Sequence, residues 1–150
     1  MLNWIKKQSI AVWLVLAAAV FAIVAVIIYG INSTTGVMQT IDLDVAPIVY
    51  SVIAIALLAG IIAANGKVPQ WVISAAMVVI IVFLTLSLCG LIENRTDIAG
   101  DQWFIPGLDT PEKGACLSQA IVGVVFYALS IIAVVVSAFM GRFERNTAKA

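Results

Sequence analysis

The chain has 150 residues, of which 63% are apolar and 11% charged, with eight basic and eight acidic side chains and no histidine. Soluble domains are about 45–50% apolar and about 25% charged, so a water-soluble fold of this size lacks the polar side chains to cover its surface. Disorder is excluded by the same apolar excess, and a disulfide-rich scaffold by a count of only two cysteines. With a mean hydropathy of +1.14, the composition is that of an integral membrane protein.

The first apolar run covers 9–30 and follows Lys6 and Lys7. It is longer than the roughly 7–15 apolar residues of a secretory signal, and Ala17, Ala18 and Ala19 lie in its middle, so it reads as an uncleaved transmembrane helix. Residues 31–45 form a short loop in which Ser33, Thr34, Thr35 and Gly36 favour turns. The second run, 46–64, has Pro47 at its start, and Asn65-Gly66-Lys67-Val68-Pro69 makes a tight link to the third, 70–92. Residues 93–116 are the largest segment outside the apolar runs, and 117–141 is the fourth run. None of the four runs contains Asp, Glu, Lys, Arg or His.

At 1.5 Å of rise per residue such runs span roughly 28–38 Å, against a hydrocarbon core of about 30 Å. Strands of a membrane barrel would alternate apolar with polar residues, and these runs do not. The expected fold is therefore all-α: one domain over 1–150, with four transmembrane helices in an antiparallel up-down bundle. A weak internal repeat, Trp-Leu-Val-Leu-Ala-Ala from Trp13 and Trp-Val-Ile-Ser-Ala-Ala from Trp71, suggests two hairpins in one orientation.

Charge sets the expected orientation. Six basic residues (Lys6, Lys7, Lys67, Arg142, Arg145 and Lys149) share the side of the termini with Glu144 alone. The opposite side carries Asp42, Asp44, Glu93, Asp97, Asp101, Asp109 and Glu112 against Arg95 and Lys113. The positive-inside rule places both termini in the cytoplasm and both longer loops outside, in a multi-pass protein of the cell membrane. Trp4, Trp71, Phe139 and Phe143 fall at the expected inner interface, and Tyr29, Tyr50, Trp103 and Phe104 at the outer one.

Chemistry is sparse. Without histidine there is no imidazole acid–base catalysis, and the commonest zinc sets are absent. The most polar groups in and beside the runs are Tyr50, Ser51, Ser74, Thr85, Ser87, Ser118, Gln119, Tyr127, Ser130 and Ser137, which normally bond to their own backbone or to a neighbouring helix. No catalytic, cofactor or metal site is expected; the spacing Asp42-x-Asp44 falls short of a calcium loop. The basic residues are accounted for by membrane polarity, so no nucleic-acid partner is expected.

Small residues recur every four positions at Ala56, Gly60 and Ala64 in the second run and at Ala133, Ser137 and Gly141 in the fourth; Ala18 and Ala22 share the spacing in the first. This pattern lets helix backbones approach closely. It serves either packing within the bundle or a lipid-facing seam for a partner helix or a second copy. Cys89 and Cys116 lie at matched depths at the outer ends of the third and fourth runs. A disulfide there would staple the two helices, and two free thiols are the alternative. In the outer loop, Trp103, Phe104 and Ile105 precede Pro106 and need an apolar home: the headgroup region, the top of the bundle, or a partner's outer domain. The sequons at Asn32 and Asn94 lie too close to the membrane to suit glycosylation.

The run Ala99-Gly-Asp-Gln-Trp-Phe-Ile-Pro, with Val-Gly-Val-Val-Phe-Tyr-Ala-Leu-Ser-Ile-Ile-Ala from Val122, resembles small bacterial tetraspan membrane proteins. The resemblance implies the four-span topology and brings no catalytic or binding residues. Tetraspanins share the loop order, but their Cys-Cys-Gly motif is absent, with only Cys89-Gly90 present. The expected role is non-catalytic: an accessory, scaffold or assembly subunit acting through helix packing, with the bilayer and a membrane protein or second copy as partners. The alternative is a small oligomeric channel or transport subunit. A lipid-directed enzyme ranks third, since no group is in view to activate its hydroxyls.

Overall fold

The computed structural model describes residues 9–64 and 67–140. The turn residues Asn65 and Gly66, the seam residue Gly141, Trp4, Phe143 and the terminal charges lie outside the described residues. Among the described residues there are five α-helices: α1 (Ile10–Thr34), α2 (Ala46–Ala64), α3 (Gln70–Glu93), α4 (Thr96–Phe104) and α5 (Pro111–Phe139), with a 3-10 turn Gly36–Thr40 between α1 and α2. All but α4 are long and apolar enough to cross a membrane. The chain is thus a multi-pass helical membrane bundle.

Two spans run past their apolar limits for local reasons. Helix α5 begins at Pro111 rather than at 117: the Thr110 hydroxyl accepts from the Lys113 backbone N–H at 3.3 Å, Pro111 occupies the first turn, and Glu112 faces the positive end of the helix dipole. Helix α1 continues to Thr34, beyond Gly30. There the Thr34 and Thr35 hydroxyls donate to the carbonyls of Gly30 (2.8 Å) and Ile31 (2.7 Å), which satisfies acceptors at the helix end. Helix α4, inside the predicted second loop, is an α-helix that hydropathy did not anticipate.

The spans form a closed ring. Helix α1 packs on α2, α2 on α3, α3 on α5, and α5 back on α1, which is the most extensive of the four interfaces. Its two faces are built from small residues: Ala11, Ala18, Ala22 and Ala25 on α1, Ala120, Ala133 and Ser137 on α5, all buried. Small residues bring backbones close enough for dense van der Waals contact, the main source of helix association in lipid. Bulkier side chains fill the remaining centre, with Leu58 on α2 and Met77, Ile80 and Leu84 on α3 each at most 1% exposed. The bundle axis is therefore packed. At the loop end Gly90 of α3 lies under Pro47 of α2, where a Cβ would stand 2.6 Å from the proline Cγ.

A smaller core closes that end: Met38 of the 3-10 turn, Ile98 of α4, and Cys116 and Leu117 of α5. Two glycines make the turns that allow it, Gly36 at φ 60° and Gly107 at φ 86°, in the left-handed region that costs other residues strain.

Candidate functional site

The densest polar cluster lies at the loop end, around a buried arginine. Tyr29, Asn32 and Ser33 recur along one face of the last turns of α1, at helical spacings of three and four. Arg95, in the two-residue link between α3 and α4, reaches onto that face. Its Nε donates to Asn32 Oδ1 at 2.6 Å, its Nη2 to Ser33 Oγ at 2.7 Å and its Nη1 to the Asn94 carbonyl at 3.0 Å. The guanidinium carbon sits 5.8 Å from the centre of the Tyr29 ring, within cation–π range.

Asn32 passes the connection to α5, its amide donating to the Cys116 carbonyl at 2.8 Å and to Gln119 Oε1 at 3.3 Å. On the other side the Tyr29 hydroxyl donates to the Asp44 carbonyl at 2.8 Å and accepts from the Asn94 amide at 3.3 Å. Asp44 in turn accepts from that amide (3.1 Å) and from the Ala46 N–H at the start of α2 (3.0 Å). One network thus ties together all four spans.

Arg95 is 4% exposed and, among the described residues, makes no salt bridge; the ion pair of this end is Lys113 with Asp101, at 3.0 Å. Its partners are neutral dipoles and an aromatic face. Burial draws its pKa below the usual guanidinium range, opposed by the nearby Cys116 and Tyr29, yet a guanidinium still holds its proton at physiological pH. The site is a fixed positive charge clamped among neutral hydrogen-bond acceptors.

A second cluster lies inside the spans. Ser51 of α2 donates to Ser87 of α3 at 3.0 Å and is 2.7 Å from the Tyr127 hydroxyl of α5. Ser87 also bonds the carbonyls of Pro47 (3.1 Å) and Phe83 (3.0 Å). All three residues are fully buried. On the α1–α5 interface Ser130 donates to the Ala18 carbonyl at 2.8 Å and Ser137 to that of Ala11 at 2.9 Å. As expected, these hydroxyls bond across helices, while Thr85 and Ser118 bond back along their own.

Several expectations need correction. Cys89 and Cys116 are both free. Cys89 is exposed, whereas Cys116 turns inward to Asn32, with its Sγ 3.5 Å from the amide nitrogen, so the two thiols occupy different environments. Trp103, Phe104 and Ile105 do not fold onto the bundle top, being 62%, 80% and 47% exposed. Tyr29 is an interior residue at 1% exposure, not part of an interfacial belt. The two small-residue seams part company: Ala133 and Ser137 are buried, Ala56 and Gly60 are exposed, and Ala64 is half-buried. Asn32 is 1% exposed and the Asn94 amide is engaged, which adds a structural reason against either sequon being glycosylated.

The Arg95 cluster itself was missed. One clue was available: Arg95 and Lys113 are the lone cations of an acidic loop, and each proves to be anchored. Among the described residues no group of His, Cys, Asp or Glu is placed to hold a metal ion. No family model, curated protein or solved structure matches the chain.

Proposed function

We propose that this is a cell-membrane protein with both termini cytoplasmic that works without catalysis, as an accessory, scaffold or assembly subunit held to its client by helix packing. One observation carries the reading: α2 presents an open small-residue face. Val49, Val52, Ala56, Ala59, Gly60 and Ala63 are all exposed along it, and a Cβ built on Gly60 meets nothing within 4 Å. The same kind of face on α5 is already filled by α1. A flat seam of this kind admits a second helix backbone at close range. The orientation rests on the charge asymmetry of the sequence.

Cysteine cross-linking in native membranes tests the reading. In a Cys89→Ser background, Gly60→Cys should cross-link to a second copy or a distinct protein, and Val82→Cys, exposed on α3, should not. Equal cross-linking at both positions, or a clean monomer at both, would overturn it. Reporter fusions at either terminus test the orientation.

A further inference from the structure

The end of α4 and the link from it to α5 turn four large apolar side chains outward within six residues: Trp103 (62% exposed), Phe104 (80%), Ile105 (47%) and Leu108 (43%). They are presented by a fixed scaffold. Ile98 anchors α4 in the small core with Met38, Cys116 and Leu117. Gln102 Oε1 accepts from the Thr110 N–H at 3.0 Å, and Lys113 Nζ donates to Asp101 at 3.0 Å and to the Leu108 carbonyl at 3.1 Å. Leu108 N–H closes the turn at Gly107 onto the Ile105 carbonyl at 3.2 Å.

Depth identifies what covers these side chains. Helix α4 starts three residues after α3 ends at Glu93, and Ile92, just before that end, is 50% exposed on the apolar span. The segment therefore leaves from the hydrocarbon edge. It returns at Pro111, about six residues or roughly 9 Å of helix above the apolar part of α5. A headgroup layer is roughly 5–8 Å thick on each side, so the segment starts at the inner edge of that layer and returns just beyond its outer edge, crossing the layer in between. Tryptophan is favoured at this depth. The surrounding charge is acidic, with Glu93, Asp97, Asp109 and Glu112 exposed, so attraction to anionic lipid contributes nothing and the contact is apolar.

We propose that Trp103, Phe104, Ile105 and Leu108 insert into the headgroup layer of zwitterionic lipid at this end of the bundle, as an interfacial anchor that tethers the α4–α5 segment to the bilayer. The inference is independent of the open face on α2.

The test uses full-length protein carrying Trp4→Phe, Trp13→Phe and Trp71→Phe, which leaves Trp103 as the sole tryptophan, reconstituted in phosphatidylcholine vesicles. Lipids brominated high on the acyl chain should quench its emission strongly. Aqueous iodide should quench it several-fold less than it quenches free N-acetyltryptophanamide, with no dependence on added anionic lipid. Absence of bromine quenching overturns the anchor: free access of iodide would place Trp103 in water, and shielding from both quenchers would place a second copy or a partner protein over it. A second measurement avoids the three tryptophan replacements. A spin label on Ile105→Cys in a Cys89→Ser background should collide more with oxygen than with a water-soluble nickel complex, and the reverse order would likewise overturn the anchor.

Discussion

Helices α2 and α5 carry the same four-residue repeat of small side chains and use it in opposite ways. On α5 the face of Ala133 and Ser137 is closed by α1; on α2 Ala56 and Gly60 are left open. Hydrogen bonding separates the two. Ser130 and Ser137, two turns apart on α5, each need an acceptor in a medium without water, and find it in the Ala18 and Ala11 carbonyls. The stripe on α2 is built of alanine and glycine, whose side chains ask for no partner, and its buried polar group, Ser51, points to the opposite side of the helix. Spacing shows that a close approach is geometrically available; a hydroxyl on the same face ties it to a helix of the same chain.

The sharpest way to break this contrast is to overfill the closed seam. Ala18 is 0% exposed and its carbonyl holds Ser130, so Ala18→Leu should cost about 3 kcal/mol or more by forcing α1 off α5. Unfolding in mixed micelles measures it, and near-wild-type stability would contradict the seam.

Next in size is the lock that α1 and α5 share at the loop end. Arg95→Ala leaves Asn32 Oδ1 and Ser33 Oγ without their buried donor and should cost about 2 kcal/mol. Arg95→Lys should restore little of this, because one ammonium cannot reproduce the forked geometry. Full rescue by lysine would mean that charge alone matters there.

Removing a single hydroxyl gives a smaller change. Ser137→Ala should cost about 0.6 kcal/mol, the typical value for an interhelical hydrogen bond in a membrane.

The open seam should respond least. Gly60→Leu, with nothing near its Cβ, should stay within about 0.5 kcal/mol of wild type in micelles while abolishing cross-linking from a cysteine at Ala56. A large loss of stability would show that the seam is filled within the monomer. Cys89→Ser should be equally silent, since Cys89 is exposed on the outer surface of α3; in detergent micelles, where lipid no longer covers that surface, maleimide should label Cys89 and reach Cys116 only after unfolding.

The spans were legible because crossing hydrocarbon demands long uncharged helices, a requirement written in composition. Their helical limits were less so: α5 extends upstream through Thr110-Pro111-Glu112, a capping pattern that hydropathy does not register. Helix α4 went unread because its nine residues, with Gly100 and two aspartates among them, lack an apolar stripe. Arg95 was counted among the loop charges, since a basic residue directly before Thr96-Asp97-Ile98 gives no sign that Asn32, sixty-three positions earlier, will receive it.

By itself, then, the sequence determined the number of crossings, the all-α class and the asymmetry of charge between the two ends, because these follow from local composition and from the cost of placing charge or unpaired backbone in lipid. Only the tertiary structure decided which small-residue face is spent inside the bundle, that Cys116 turns to Asn32 rather than to Cys89, and that one cation of an acidic loop is buried. Those outcomes depend on the rotation of each helix about its axis. A helix that is apolar all round can rotate at little cost in burial, so a few hydroxyls, amides and one guanidinium, each seeking a partner far along the chain, set that angle.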